Sequence, residues 1–141
     1  MPTSVEPPPL IKVTDLDVVF GHGADTVHAV RSAGFSVAEG ETFGLVGESG
    51  SGKSTVLRAL SGLNADWSGT IEIAGVAQDS RRDKAFYKTV QMVFQDPYGS
   101  LHPRHTVDSV LSETCSIHGI QDVERRQHEI LAEVGLGPAC E

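Results

Sequence analysis

Gly47-Glu48-Ser49-Gly50-Ser51-Gly52-Lys53-Ser54-Thr55 matches the phosphate-binding pattern G-x-x-x-x-G-K-[ST] at Gly47, Gly52, Lys53 and Ser54. The pattern carries meaning only with a strand before it and a helix after it. Thr42-Phe43-Gly44-Leu45-Val46 is a nearly continuous apolar run, which predicts a short strand buried on both faces. Val56, Leu57, Leu60 and Leu63 recur at roughly helical spacing, and Gly62 is placed to end that helix. The residue types suit phosphate chemistry. Gly47, Gly50 and Gly52 let the backbone curl with its N–H groups inward. The helix N-terminus adds free donors and partial positive charge. Lys53 supplies a full charge for the outer phosphates, and the Ser54 hydroxyl is placed to coordinate Mg²⁺.

At 141 residues the chain is long enough for one domain with a modest core. With 39% apolar and 21% charged residues it has the composition of an ordinary globular protein. Its net charge of −8, with no Lys/Arg-rich face, argues against nucleic acid or anionic lipid as a bulk partner. The one basic cluster, Arg81-Arg82-Asp83-Lys84, reads as solvated surface. No apolar run approaches the ~20 residues of a membrane span. Residues 1–9, with Pro7-Pro8-Pro9, lack a signal-peptide pattern and read as a disordered, polyproline-biased tail. Cys115 and Cys140 are isolated, as expected of two incidental thiols in a reduced compartment.

Going along the chain, Ile11, Val13, Leu16, Val18 and Phe20 predict one strand over residues 10–20 with a bulge at Thr14-Asp15. Val27 to Val37 predicts a second strand, interrupted at Ser32-Ala33-Gly34. Asp66-Trp67-Ser68-Gly69 reads as a turn, and Thr70 to Gly75 as a half-buried strand. Residues 79–88 suggest one or two helical turns. Val90-Gln91-Met92-Val93-Phe94 predicts another strand. Thr106 and Asp122 are placed as caps of two helices, the second stopping at Gly135.

Residues 40–55 together with Gln91-Met92-Val93-Phe94-Gln95-Asp96-Pro97-Tyr98-Gly99-Ser100-Leu101-His102-Pro103-Arg104 resemble the ATP-binding subunit of an ATP-binding cassette (ABC) transporter. The second run is similar to the oligopeptide/dipeptide/nickel importer branch, although His102 stands where that branch typically has Asn. The resemblance implies an α/β fold: a P-loop NTPase (RecA-like) core with an antiparallel β-subdomain over residues 10–104, and the start of a helical subdomain over 105–141. It implies ATP and Mg²⁺ as cofactors, with Gly47, Glu48, Ser49, Gly50, Ser51, Gly52, Lys53, Ser54 and Thr55 on the phosphates. Phe20 would stack on adenine. Gln95 would join Ser54 at the metal and Lys53 in catalysis, reaching the attacking water. The implied partners are transmembrane permease subunits and a second ATP-binding subunit, at the cytoplasmic face of the membrane.

The chain also departs from the family pattern. It has no Leu-Ser-Gly-Gly-Gln signature loop; Leu60-Ser61-Gly62 is a look-alike at the end of the phosphate-loop helix. No apolar strand ending in Asp-Glu follows Gln95, so the Walker B carboxylate and the general base have no candidate. This reads as the N-terminal half of a cassette subunit, binding nucleotide at most. A non-catalytic nucleotide-binding regulatory module stays open as an alternative. The Gln95-Asp96-Pro97 segment argues against a third reading, a nucleotide kinase.

Overall fold

A computed structural model of the protein describes residues 8–21, 23–96, 99 and 101–136. Most of the expected tail, Cys140, and Pro97, Tyr98 and Ser100 of the second motif lie outside them. The chain divides into two compact units, Met1–Met92 and Val93–Glu141.

The first unit is built on an antiparallel sheet. Strand β1 (Ile11–Phe20) pairs on one side with β2 (Val27–Val37) and on the other with β3 (Trp67–Ile73), which is followed by the short β4 (Val76–Ala77). The order is β2-β1-β3-β4. Val13, Leu16 and Val18 are all buried. In a regular strand Val13 and Leu16 would point to opposite faces. A register shift between them, with Asp15 at φ 48°, returns both to the core. Gly69 sits across this bulge at φ 101°, where a Cβ would come within 2.2 Å of the Asp15 carbonyl oxygen, so only glycine fits. Helix α1 (Lys53–Leu60) covers the sheet with Val56, Ala59 and Leu60, which pack with Val13, Leu16, Val18, Ile71 and Phe86 in one core. The Leu60-Ser61-Gly62 look-alike is indeed the end of this helix. Gly62 turns at φ 75°, and Leu63 N–H donates back to Arg58 O at 2.9 Å. The expected helical turns at 79–88 reduce to α2 (Phe86–Thr89).

Three expectations need correction. Trp67-Ser68-Gly69 is not a turn. It begins β3, because Trp67 pairs with Val18 and Ser68 with Asp17. Thr42–Val46 and Val90–Phe94 form no strand ladder among the described residues. A continuous apolar run predicts a strand flanked on both edges, and among the described residues no strand flanks either run. Leu45 is half-buried and Phe43 stacks on Phe35 with centroids 5.0 Å apart, but Val46 is 96% exposed. Between the 42–46 run, β1–β2 and α1 lies a cavity of about 480 Å³ lined by Ile11, Phe35, Val37, Phe43 and Leu57, among others. Unpaired backbone beside an open apolar cavity recruits other chains. A 141-residue chain of this sequence should therefore run as dimers or larger species in light scattering. A monodisperse monomer with a cooperative, high-temperature melt would contradict that expectation.

The second unit is a helix pair, α3 (Val107–His118) and α4 (Val123–Glu133). Both expected caps are present: Thr106 Oγ1 accepts from Ser109 N–H at 3.1 Å, and Asp122 Oδ1 from Arg125 N–H at 3.3 Å. Gly119 and Gly135, at φ 70° and 78°, close the two helices. The Gln127 amide ties the helices together, donating to Asp108 O, Asp108 Oδ1 and Ser112 Oγ at 2.9–3.1 Å. Cys115 is a free, buried thiol.

Candidate functional site

The site starts where the chain leaves the 42–46 run and turns into α1. Ser51 N–H donates to Glu48 O at 3.2 Å, which tightens the loop. Gly50 and Gly52 take φ 83° and 87°, and Gly52 caps α1 in the left-handed region with no side-chain hydrogen bond. The first intrahelical bond is Val56 N–H to Gly52 O at 2.9 Å. The N–H groups of the first turn are therefore left to an external acceptor. That exposed donor set is what a phosphate requires.

Gly52 is dictated by contact. A Cβ there would come within 2.3 Å of the Ala29 backbone oxygen, whereas one on Gly47 would meet only the Ser51 hydroxyl, at 2.7 Å, which can turn aside. The first contact shows how the loop is held, with its last turn resting on β2 at Ala29 and Val30. Sequence reading gave no hint of Ala29, because an alanine in a strand carries no chemistry. Ala29 also helps line a cavity of about 160 Å³ with Gly50, Ser51, Lys53, Ser54 and Thr55. Lys53 folds over the loop, with Nζ donating to Gly47 O at 2.8 Å, Glu48 O at 2.6 Å and Ser51 Oγ at 3.2 Å. Its ammonium is thus held at the mouth of the donor cradle. Ser49 and Ser54 are exposed, so the Ser54 hydroxyl is free to reach a ligand.

Phe20 ends β1 and is 43% exposed. Its position relative to the loop follows from register. Val18 pairs with Val30, which touches Gly52, and Phe20 pairs with Val27. Two residues of strand span about 7 Å, so the ring sits at the same end of the sheet as the loop. Gln95 belongs to the second unit and is exposed. Among the described residues no cluster of three or more His, Cys, Asp or Glu could hold a metal ion.

Residues 30–140, most of the chain, match the family model described as ABC transporter. The chain belongs to the ABC transporter family. A dimeric bacterial ABC transporter cassette of known structure superposes on it with a TM-score of 0.67, covering 83% of this chain and 52% of that one at 23% identity. The likeness bears on the fold: α/β, of the P-loop NTPase kind, with an antiparallel β-subdomain. Among curated relatives, an oligopeptide transport ATP-binding protein of Streptococcus pyogenes is 42% identical over 135 residues, 90% of this chain and 44% of its own length. One from Streptococcus pneumoniae is 41% identical with the same coverage. A putative oligopeptide transport ATP-binding protein of Bacillus subtilis is 41% identical over 92% of this chain and 42% of its own length. This ABC chain thus spans less than half the length of the curated relatives it matches. No helix among its described residues is long and apolar enough to cross a membrane.

Proposed function

We propose that this chain is the phosphate-loop part of the ATP-binding subunit of an oligopeptide-type importer, and that it binds Mg-ATP. The observation that carries this is the loop itself: a helix N-terminus with no side-chain cap, a cavity beside it and a lysine held over it. The backbone N–H groups of residues 50–55 would take the phosphates, and Lys53 the outermost charge. Ser54 is the residue of the loop that would hold Mg²⁺, which neutralises phosphate charge when bound. In the whole protein, ATP binding and hydrolysis would drive import of peptides or a related small solute. The whole protein would pair with a second ATP-binding subunit and with permease subunits at the cytoplasmic face of the membrane. Residues 105–141 would begin the helical subdomain of that cassette. The test is calorimetric titration with Mg-ATP. A folded chain that shows no saturable binding at millimolar nucleotide overturns the reading.

Phe20 supplies a separate check. Its exposed ring is the aromatic face available for adenine at the loop end of β1. Phe20→Ala should weaken ATP and ADP alike by roughly 1–3 kcal/mol, the range for base–aromatic stacking, and leave inorganic triphosphate unchanged. A parallel loss of triphosphate binding would mean that the substitution damages packing instead.

A further inference from the structure

The cluster Arg81-Arg82-Asp83-Lys84 reads as solvated surface, but Arg82 is half-buried. Its guanidinium carbon lies 4.9 Å from the Phe86 ring centroid and 5.6 Å from that of Trp67. Its Nη2 donates to Ala59 O at 3.4 Å, at the C-terminal end of α1. Its Nε and Nη1 are enclosed and meet no acceptor among the described residues.

Two more enclosed donors stand unpaired, Trp67 Nε1 beside Arg82 and Asn64 Nδ2 just beyond the C-terminal end of α1. The Asn64 backbone N–H donates to Arg58 O, one residue before Ala59, and its Oδ1 accepts from Asp66 N–H, which fixes the amide's orientation. Four donor atoms here lack an acceptor within the described residues. An unmade hydrogen bond in an enclosed place is costly, most of all for a charged donor. Burial lowers the Arg82 guanidinium from its ordinary value, and Tyr87 and Asp79 partly restore it; a guanidinium is a cation in proteins throughout the working pH range.

Arg82 forms part of the wall of an open cavity of about 420 Å³, with Arg81, Ile73, Gln78, Phe86 and Val90. Each of the two carboxylates there gives one oxygen to the backbone, Asp79 Oδ1 accepting from Ser80 N–H at 2.7 Å and Asp83 Oδ1 from Phe86 N–H at 2.8 Å, and neither forms an ion pair with Arg82 among the described residues. The α1 carbonyls nearby are already used by the N–H groups of residues 61–64. What remains is an under-partnered cation at the edge of a cavity. We infer that this cavity is a second anion site, at the opposite end of α1 from the phosphate loop, where an oxyanion of a phosphate or carboxylate group lies against Arg82.

Trp67 is the chain's single tryptophan, so its indole N–H resonance reports on this corner. The experiment titrates the whole chain with inorganic phosphate and, separately, with acetate at constant ionic strength set by chloride. A saturable shift of the Trp67 resonance is expected with one or both anions; phosphate alone assigns a phosphoryl group, and acetate alone a carboxylate. Arg82→Gln should weaken that response about ten-fold or more. Lys84→Gln removes a neighbouring charge outside the cavity lining and should leave it unchanged. Where Arg82→Gln loses its circular dichroism, Arg82→Lys, which keeps the stem and the charge but loses the planar fork of donors, decides: a weakened response supports the site and an unchanged one overturns it. A response that is linear, or equal in chloride, means water only and overturns the site. So does a response that Lys53→Ala abolishes and Arg82→Lys leaves intact, since it then comes from the phosphate loop. Failure of the loop as a nucleotide site would appear in ATP affinity and not at Trp67, so the two readings fail separately.

Discussion

Steady-state phosphate release by this 141-residue chain at saturating Mg-ATP is expected to be a trace, far below the enzyme median of about 10 s⁻¹. Phosphoryl transfer needs more than a cradled phosphate. The water must be positioned and activated, and charge building on the γ-phosphoryl group must be met in line. The chain offers Lys53 and the N-terminus of α1 for charge, with Ser54 for the metal. It offers no strand ending in Asp-Glu after Gln95 and no signature loop. A positioned proton acceptor contributes about 10²–10⁴-fold, and one missing electrostatic contact to the transition state costs about 10²–10³-fold. The two losses multiply. Lys53→Ala is the control for contaminating ATPases. Turnover near the median that this substitution abolishes would mean that a base exists among these residues. Glu113 and Glu124, exposed on α3 and α4, are the first to replace in that case.

Lys53→Ala should weaken Mg-ATP binding by about ten- to a hundred-fold. Lys53 places the site's one full positive charge, and a charge-assisted hydrogen bond contributes roughly 1.5–3 kcal/mol. The structure adds a complication that the motif hides. The same ammonium fastens the loop to itself through Gly47 O, Glu48 O and Ser51 Oγ. Its removal therefore subtracts a phosphate contact and also loosens the cradle. Two measurements separate these effects. Loss of the phosphate contact weakens ATP and inorganic triphosphate in parallel with an unchanged melting temperature. Loss of loop order lowers the melting temperature as well. Equal ATP affinity in the two proteins by calorimetry would remove the loop from the proposed site.

Much of the site was legible because it is local. A nine-residue run fixes its own backbone: glycines take the left-handed angles, and Lys53 and Ser54 follow at set positions on the first turn of α1. The caps at Thr106 and Asp122 and the stop at Gly62 are legible for the same reason, since each is a side-chain-to-backbone or backbone-to-backbone bond within a few residues. The bulge near Asp15 could be read from the three-residue step between Val13 and Leu16.

Where the sequence misled, the outcome depended on residues far away along the chain. Thr42–Val46 and Val90–Phe94 have the composition of buried strands, but a strand exists only when a neighbour supplies the other half of each hydrogen bond. No described residue does so, and Val46 and Val93 are left 96% and 95% exposed. Trp67–Gly69 went the other way, because β1 offers a paired edge that no local signal announces. Ala29 became part of the site only through the packing of β2 under Gly52. Arg82 is half-buried only because Trp67 and Phe86 pack against it. The sequence by itself determined the phosphate loop, the helix ends and the family, all carried by short-range geometry and motif spacing. The tertiary structure alone decided which apolar runs pair, what holds the loop in place and which arginine packs against aromatic rings, since each depends on contacts between residues distant in the chain.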